Sequence, residues 1–124
     1  MTDPTATIDT YFRMWNETDP NVRAELVGEA WAEDGRHVDP LADVEGHRSI
    51  DEMVAGVQGQ FPGATIRRTS AVDLHHDQAR YAWELSTEDG DVVVSAIDVA
   101  RLAGDGRLQH VAAFFGDLTA EVAA

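Results

Sequence analysis

Three side chains with acid–base chemistry stand at positions where packing alone does not require them. Tyr11 lies on the apolar face of a helical pattern, Asp39 ends an extended segment before a proline, and Asp98 falls inside an apolar run. A buried tyrosine hydroxyl needs a partner, and a buried carboxyl either finds one or keeps its proton through a raised pKa. If the three side chains meet in one cavity, they supply two donors for an enolate oxygen and one carboxylate base. That set suits proton transfer next to a carbonyl.

A histidine two residues before Asp39 allows a second version of this chemistry. His37 and Asp39 share one face of an extended segment, so Asp39 could orient the imidazole, which would then be the general base near neutral pH. The structural alternative for His37 is a half-exposed strand residue without a chemical role. The structural alternative for Asp39 is a turn residue that accepts backbone N–H bonds.

The other two candidates also have structural alternatives. Asp98 shares a strand face with small and apolar residues, and it could pair with an arginine such as Arg80 or Arg101. Tyr11 could simply be an aromatic residue of the core.

Neighbouring aromatic residues and a histidine are candidates for the pocket wall. Trp15 and Trp83 would make a pocket aromatic enough for a flat ligand. His110 has the same strand parity as Phe114, so we expect both side chains to face the cavity.

The histidines do not form a convincing metal site. His75 and His76 are adjacent, so in a strand they would point to opposite faces, and we predict a hairpin turn there. The His37–Asp39 pair would need a third ligand, such as His110 or Asp98. We therefore predict no metal.

Composition narrows the function classes. The 124 residues predict one domain, residues 1–124, and the net charge of −14 argues against nucleic acids and anionic membranes as partners. The sequence contains no cysteine, and its nine basic residues are all arginine, which excludes thiol nucleophiles and lysine Schiff bases. It also lacks a long apolar run and a secretion signal, so we expect a cytoplasmic protein.

The periodicity predicts three helices followed by strands. The helices are expected over 5–16, from 20 to about 31 and from 49 to about 60, with Thr5, Asp19 and Ser49 as N-caps. Strands are expected over 65–74, 79–87, 92–102 and 108–118, as an antiparallel meander with one extra short strand near 37. Residues 41–47 are expected to form a loop, and the fold class is α+β.

This order of elements, "DPL" followed by a glycine and a helix, "SAIDVARL" and the closing "AFFGD" resemble the nuclear-transport-factor-two-like superfamily. This superfamily includes the SnoaL-like polyketide cyclases and the ketosteroid isomerases. The resemblance covers about residues 5–118. It implies a cone-shaped, curved antiparallel sheet whose pocket is closed by three N-terminal helices, commonly in a homodimer packed through the sheet.

The resemblance to ketosteroid isomerase also implies site roles. Its oxyanion-hole tyrosine falls on Tyr11, its Asp-Pro base on Asp39, and its protonated strand aspartate on Asp98. We therefore expect a cofactor-free enzyme that moves a proton next to a carbonyl in a small hydrophobic polyketide- or steroid-like molecule, by isomerisation or aldol-type cyclisation. The alternatives are a hydrolase or dehydratase that activates water, and a ligand-binding domain without catalysis.

Overall fold

The computed structural model describes residues 3–121 and has the predicted α+β architecture, with three helices and a curved, unclosed sheet of seven strands. The elements are α1 (Pro4–Asn16), α2 (Pro20–Ala30), β1 (Trp31–Asp39), β2 (Ala42–Glu45), α3 (His47–Gln60), β3 (Thr65–Arg68), β4 (Asp73–His75), β5 (Gln78–Ser86), β6 (Val92–Leu102) and β7 (Leu108–Phe115). Within residues 3–121, no helix is long and apolar enough to cross a membrane.

The strands follow the spatial order β2-β1-β7-β6-β5-β3, and β4 also pairs with β5. All neighbouring strands are antiparallel except β1 and β7, which run parallel. The predicted meander forms β5, β6 and β7, while β1 and β2 extend it along the other edge of β7. The first strand of the chain therefore lies beside the last one.

The two N-terminal helices begin at Asp-Pro pairs. The side chain of Asp3 accepts a hydrogen bond from the backbone of Thr5, so the cap of α1 is Asp3 and not Thr5 as predicted. Asp19 caps α2 as predicted, by accepting bonds from the backbone of the next helical turn. In both helices proline stands at the first position, where its missing N–H costs nothing.

Three predicted boundaries around the site are wrong. Helix α2 ends at Ala30, and Trp31 already begins β1. The segment expected to be a loop contains β2, which pairs back onto β1 through a tight turn after Asp39. Helix α3 begins after Gly46, whose φ of 89° favours glycine, and Ser49 does not cap it. The expected strand over 65–74 is also divided, into β3 and β4.

Strand β6 alternates between the two faces of the sheet as its period predicts. Ala96, Asp98 and Ala100 are buried on the inner face, against the helices. Ile97 and Val99 are exposed on the outer face. The inner face and the three helices enclose the hydrophobic core, and the candidate site lies at one end of it.

Candidate functional site

An apolar cavity of about 260 Å³ lies between the helices and the inner face of the sheet. Its polar lining residues are His37, Asp39 and Gln60. Most of the remaining wall is apolar and includes Trp15, Met53, Phe61, Trp83, Leu85 and Phe115. Such a cavity, with few polar groups in an aromatic wall, fits a small hydrophobic molecule.

The end of β1 places a histidine–aspartate pair at this cavity. His37 Nε2 lies 2.9 Å from Asp39 Oδ2, and the other carboxylate oxygen accepts 2.8 Å bonds from the backbone N–H groups of Leu41 and Ala42. Asp39 therefore accepts backbone hydrogen bonds in a turn, as its structural alternative states, and it also lines the cavity. The His37 side chain is only 2% exposed, so its structural alternative, a half-exposed strand residue, is wrong.

Hydrogen bonding outweighs burial at Asp39. Partial burial by itself raises the pKa of the carboxyl group, but the hydrogen bond from His37 and those from the backbone of Leu41 and Ala42 lower it by more. The net effect is a pKa below the usual value, so Asp39 is ionised at neutral pH. Its side chain keeps 13% of its surface exposed.

Asp98 is completely buried and is held by a tryptophan instead of an arginine. The Trp83 indole N–H donates a 2.7 Å hydrogen bond to Asp98 Oδ1. Arg80 pairs with Asp73, and Arg101 lies on the exposed outer face, so the structure does not show the arginine pairing that was the structural alternative for Asp98. Burial raises the pKa of Asp98 to about 6, against the opposing effects of Trp83, His37 and two tyrosines.

The two tyrosines beside Asp98 are Tyr11 and Tyr81. Both are buried, and their ring centroids are 6.4 Å apart. Burial and the nearby Asp98 raise the pKa of each phenol well above its usual value, so both stay protonated. Tyr81 stands directly opposite Asp98 in the β5–β6 register, and our sequence analysis did not identify it. The signal was present, because the strand period that places Trp83 inward also places Tyr81 inward.

The structure brings the predicted site residues close together but does not place all of them in one wall. Asp39, His37, Trp15 and Trp83 line the cavity. Tyr11 and Asp98 are not among its lining residues, so the expectation that both share one cavity with Asp39 is not met. Asp98 lies behind Trp83 instead, buried in the core.

Two predicted pocket residues lie on the wrong face. Phe114 is 63% exposed, and His110 has the same outward parity. The β6–β7 register shifts between Arg101 and Leu102, so a bulge precedes His110 in β7. One extra residue turns the following side chains to the opposite face, which makes Phe115 the cavity residue.

No metal centre is evident in the described part of the chain. Residues 3–121 contain no group of three or more histidine, aspartate or glutamate side chains placed to hold an ion. His75 and His76 lie at an exposed hairpin turn, as predicted, where His76 has a φ of 53°.

Comparison with known proteins gives clear structural matches. No family profile matches the sequence, and no curated protein does. A crystal structure from Agrobacterium tumefaciens, described provisionally as an isomerase of the SnoaL-like family, is 38% identical, with a TM-score of 0.87 over 94% of this chain and 100% of that one.

Two provisionally described polyketide cyclases share the fold at lower identity. The SnoaL-like protein from a Jannaschia species is 18% identical, with a TM-score of 0.68 over 93% of this chain and 90% of its own. The protein from Sinorhizobium meliloti is 16% identical, with a TM-score of 0.70 over 90% of this chain and 99% of its own.

Proposed function

Because the chain belongs to the SnoaL-like family, with the fold of nuclear-transport-factor-two-like proteins, we propose that it is a cofactor-free acid–base enzyme. In this proposal it moves a proton next to the carbonyl group of a small hydrophobic molecule. The observation that carries the proposal is the ionised Asp39 carboxylate, backed by His37, in the wall of an otherwise apolar cavity. The isomerase and cyclase descriptions of the structural relatives support the same reaction class.

We assign the base to Asp39. It is the carboxylate among the cavity-lining residues, and three hydrogen bonds fix its orientation. His37 Nε2 faces Asp39, while its Nδ1 is buried from solvent. His37 therefore positions the base, and Asp39 takes the proton α to the carbonyl and returns it elsewhere, unless the enolate first attacks within the same molecule.

The enolate oxygen needs donors, and Tyr11 and protonated Asp98 are the candidates that the resemblance implies. Neither residue lines the cavity, but each contacts a residue that does: Asp98 accepts a hydrogen bond from the Trp83 indole, and Tyr11 packs against Trp15. For Asp98 to reach a ligand, the Trp83 side chain has to turn away from it. In that arrangement protonated Asp98 donates a hydrogen bond to the substrate oxygen, instead of accepting one from the indole.

The cavity favours a compact substrate. Its volume of about 260 Å³ falls below the roughly 300–1,000 Å³ typical of sites for drug-sized ligands. Aromatic residues on several sides, including Trp15, Trp83 and Phe115, suit a flat ring. We therefore propose a ring-containing ketone smaller than a steroid.

The decisive experiment compares the wild type with Asp39→Asn on a panel of compact β,γ-unsaturated ketones, followed by the absorbance of the conjugated product. We expect turnover to fall by about 10²–10⁴-fold, the usual contribution of a general base. Glu45→Gln is the matched control, because it neutralises an exposed carboxylate of the same β1–β2 hairpin. Equal turnover in wild type and Asp39→Asn would remove Asp39 from the mechanism.

The two alternative functions receive less support. A hydrolase of this type would use an arginine between carboxylates to activate water, and no arginine lines the cavity in the described chain. A binding domain without catalysis would hold the same ketones and leave them unchanged. The panel separates the cases, since binding without turnover in the wild type identifies the binding domain.

We also infer that a second copy of the chain covers the outer face of the sheet. Val93, Ile97, Val99 and Phe114 are exposed there and form an outer apolar patch, in which Ile97 stands opposite Phe114. Exposed apolar surface of this kind marks an interface. A two-fold axis brings the same face of two copies together, so the patch of one chain covers the patch of the other. At a net charge of −14, contacts between the more polar surfaces of two copies are disfavoured by charge repulsion.

A further inference from the structure

The register of β5, β6 and β7 divides the inner face of the sheet into rows of neighbouring side chains. In the first of these rows Leu85 stands opposite Val94, and both residues line the cavity. In the second row Trp83 stands opposite Ala96, which in turn stands opposite Phe115. Trp83 and Phe115 also line the cavity, so the cavity extends over both rows.

The third row lies outside the cavity. It consists of Tyr81, Asp98 and Ala113, which are all buried and are not among the lining residues. Successive rows on one face are two residues apart, or roughly 6.5 Å along the strands. On the sheet side the cavity therefore ends at the second row, and we call its two aromatic residues, Trp83 and Phe115, the aromatic end wall.

Contacts with the protein hold the aromatic end wall in place. The ring centroids of Trp83 and Phe115 are 6.1 Å apart, with their planes at 86°, which is a favourable edge-to-face arrangement. The residue between them is Ala96, whose small side chain leaves room for the two rings to meet. The Trp83 indole also donates its 2.7 Å hydrogen bond to Asp98, and so reaches from the second row to the third.

The cavity opens to solvent at a different place. Leu41, in the turn after Asp39, lines the cavity and is 84% exposed. Trp83 and Phe115 are each only partly exposed. A ligand that enters beside Leu41 and lies along the strands therefore meets the aromatic end wall before it can reach the third row.

We propose that Trp83 and Phe115 determine the length of the ligand and exclude ring systems as long as a four-ring steroid. This inference rests on the part of the proposed function that places a small hydrophobic molecule in the cavity, and it does not require Asp39 to be the base. Truncation of either aromatic side chain should extend the cavity towards the third row, by up to roughly 6.5 Å.

A pair of phenols that differ in length tests the inference by binding alone. The probes are 2-naphthol, with two fused rings, and equilenin, a four-ring steroid that contains the same naphthol group. Isothermal titration calorimetry gives the Kd of each. We expect the wild type to bind 2-naphthol more tightly than equilenin. In Trp83→Ala the ratio of the equilenin Kd to the 2-naphthol Kd should fall by at least about tenfold, because the additional rings then become buried.

Phe115→Ala is the second variant, because it shortens the same end wall and keeps the hydrogen bond between Trp83 and Asp98. We expect the ratio to fall in this variant too, and thermal unfolding shows which variants are folded. Phe114→Ala is the matched control, since it removes the same side chain from the neighbouring, outward-facing position and should keep the wild-type ratio.

The results separate this inference from the proposed reaction. A wild type that binds equilenin at least as tightly as 2-naphthol, or a ratio that stays at the wild-type value in the folded end-wall variants, overturns the inference even if Asp39→Asn is inactive. Conversely, a ratio that falls in the end-wall variants and not in Phe114→Ala supports it even if no ketone is turned over.

Discussion

The indole N–H of Trp83 donates a 2.7 Å hydrogen bond to Asp98, and so connects a residue of the cavity wall to a carboxyl that is fully buried. An uncharged donor compensates this carboxyl, in place of the arginine that a structural role would favour. The consequence is an acid whose pKa, at about 6, lies close to neutrality. Its charge can therefore change under mild conditions.

Trp83→Phe is expected to raise the pKa of Asp98 above about 6. The indole hydrogen bond favours the charged form, so its loss leaves burial less opposed. A titration of the Asp98 carboxyl carbon by ¹³C NMR measures the effect. Trp15→Phe is the matched control, since Trp15 lines the same cavity without a hydrogen bond to Asp98. A lower or unchanged pKa in Trp83→Phe contradicts the assignment.

Asp98→Asn is expected to change how protein stability depends on pH. In the wild type the folded state holds the Asp98 proton up to about pH 6, against an ordinary value of 3.8 in the unfolded state. The contribution of Asp98 to the free energy of unfolding is therefore fully present below that ordinary value and is lost as pH rises through about 6. The loss amounts to about 3 kcal/mol at most.

Denaturant unfolding of both proteins between about pH 4 and about pH 7 measures this contribution. Asp98→Asn lacks the titrating group, so its free energy of unfolding should gain on that of the wild type as pH rises. A difference between the two proteins that stays constant over this range would show that Asp98 does not titrate there.

Much of the fold follows from the sequence because local patterns determine it. The spacing of Ile8, Tyr11, Phe12 and Trp15 predicts the buried face of α1, and the alternation along β6 predicts that Asp98 points inward. Long-range pairing is harder to predict. Nothing local shows that β1 runs parallel beside β7, and that pairing extends the first strand back to Trp31.

The site is predicted less completely than the fold, for two physical reasons. A β-bulge near Leu108 reverses which β7 side chains face the interior, so His110 and Phe114 face outward. The proximity of Tyr81 to Asp98 depends on hairpin register, which fixes which side chains stand opposite each other. Residue types identify the titratable groups, but which of them reach the cavity depends on packing around Trp83.

His37→Leu, which leaves no donor at this position, is expected to shift the acid limb of the pH–activity profile to higher pH. The proposed base must be ionised, so activity falls as pH drops through the pKa of Asp39. The hydrogen bond from His37 lowers that pKa, and its loss moves the limb upward. The profile of kcat/KM on an active ketone measures the shift. His110→Leu is the control, because His110 lies on the outer face. An unmoved limb in His37→Leu argues against a role of His37 in positioning Asp39.

Ile97→Asp and Phe114→Asp are expected to convert a dimer into monomers. The two side chains stand opposite each other on the outer apolar patch, and Phe114 is 63% exposed in the single chain. A carboxylate at either position would be buried against the second copy, where it lacks a partner and adds to a net charge of −14. Sedimentation equilibrium measures the mass of each variant. Val22→Asp, an exposed apolar position on α2, is the matched control and should stay dimeric. A monomeric wild type, or Asp variants that remain dimers, would show that this face is not the interface.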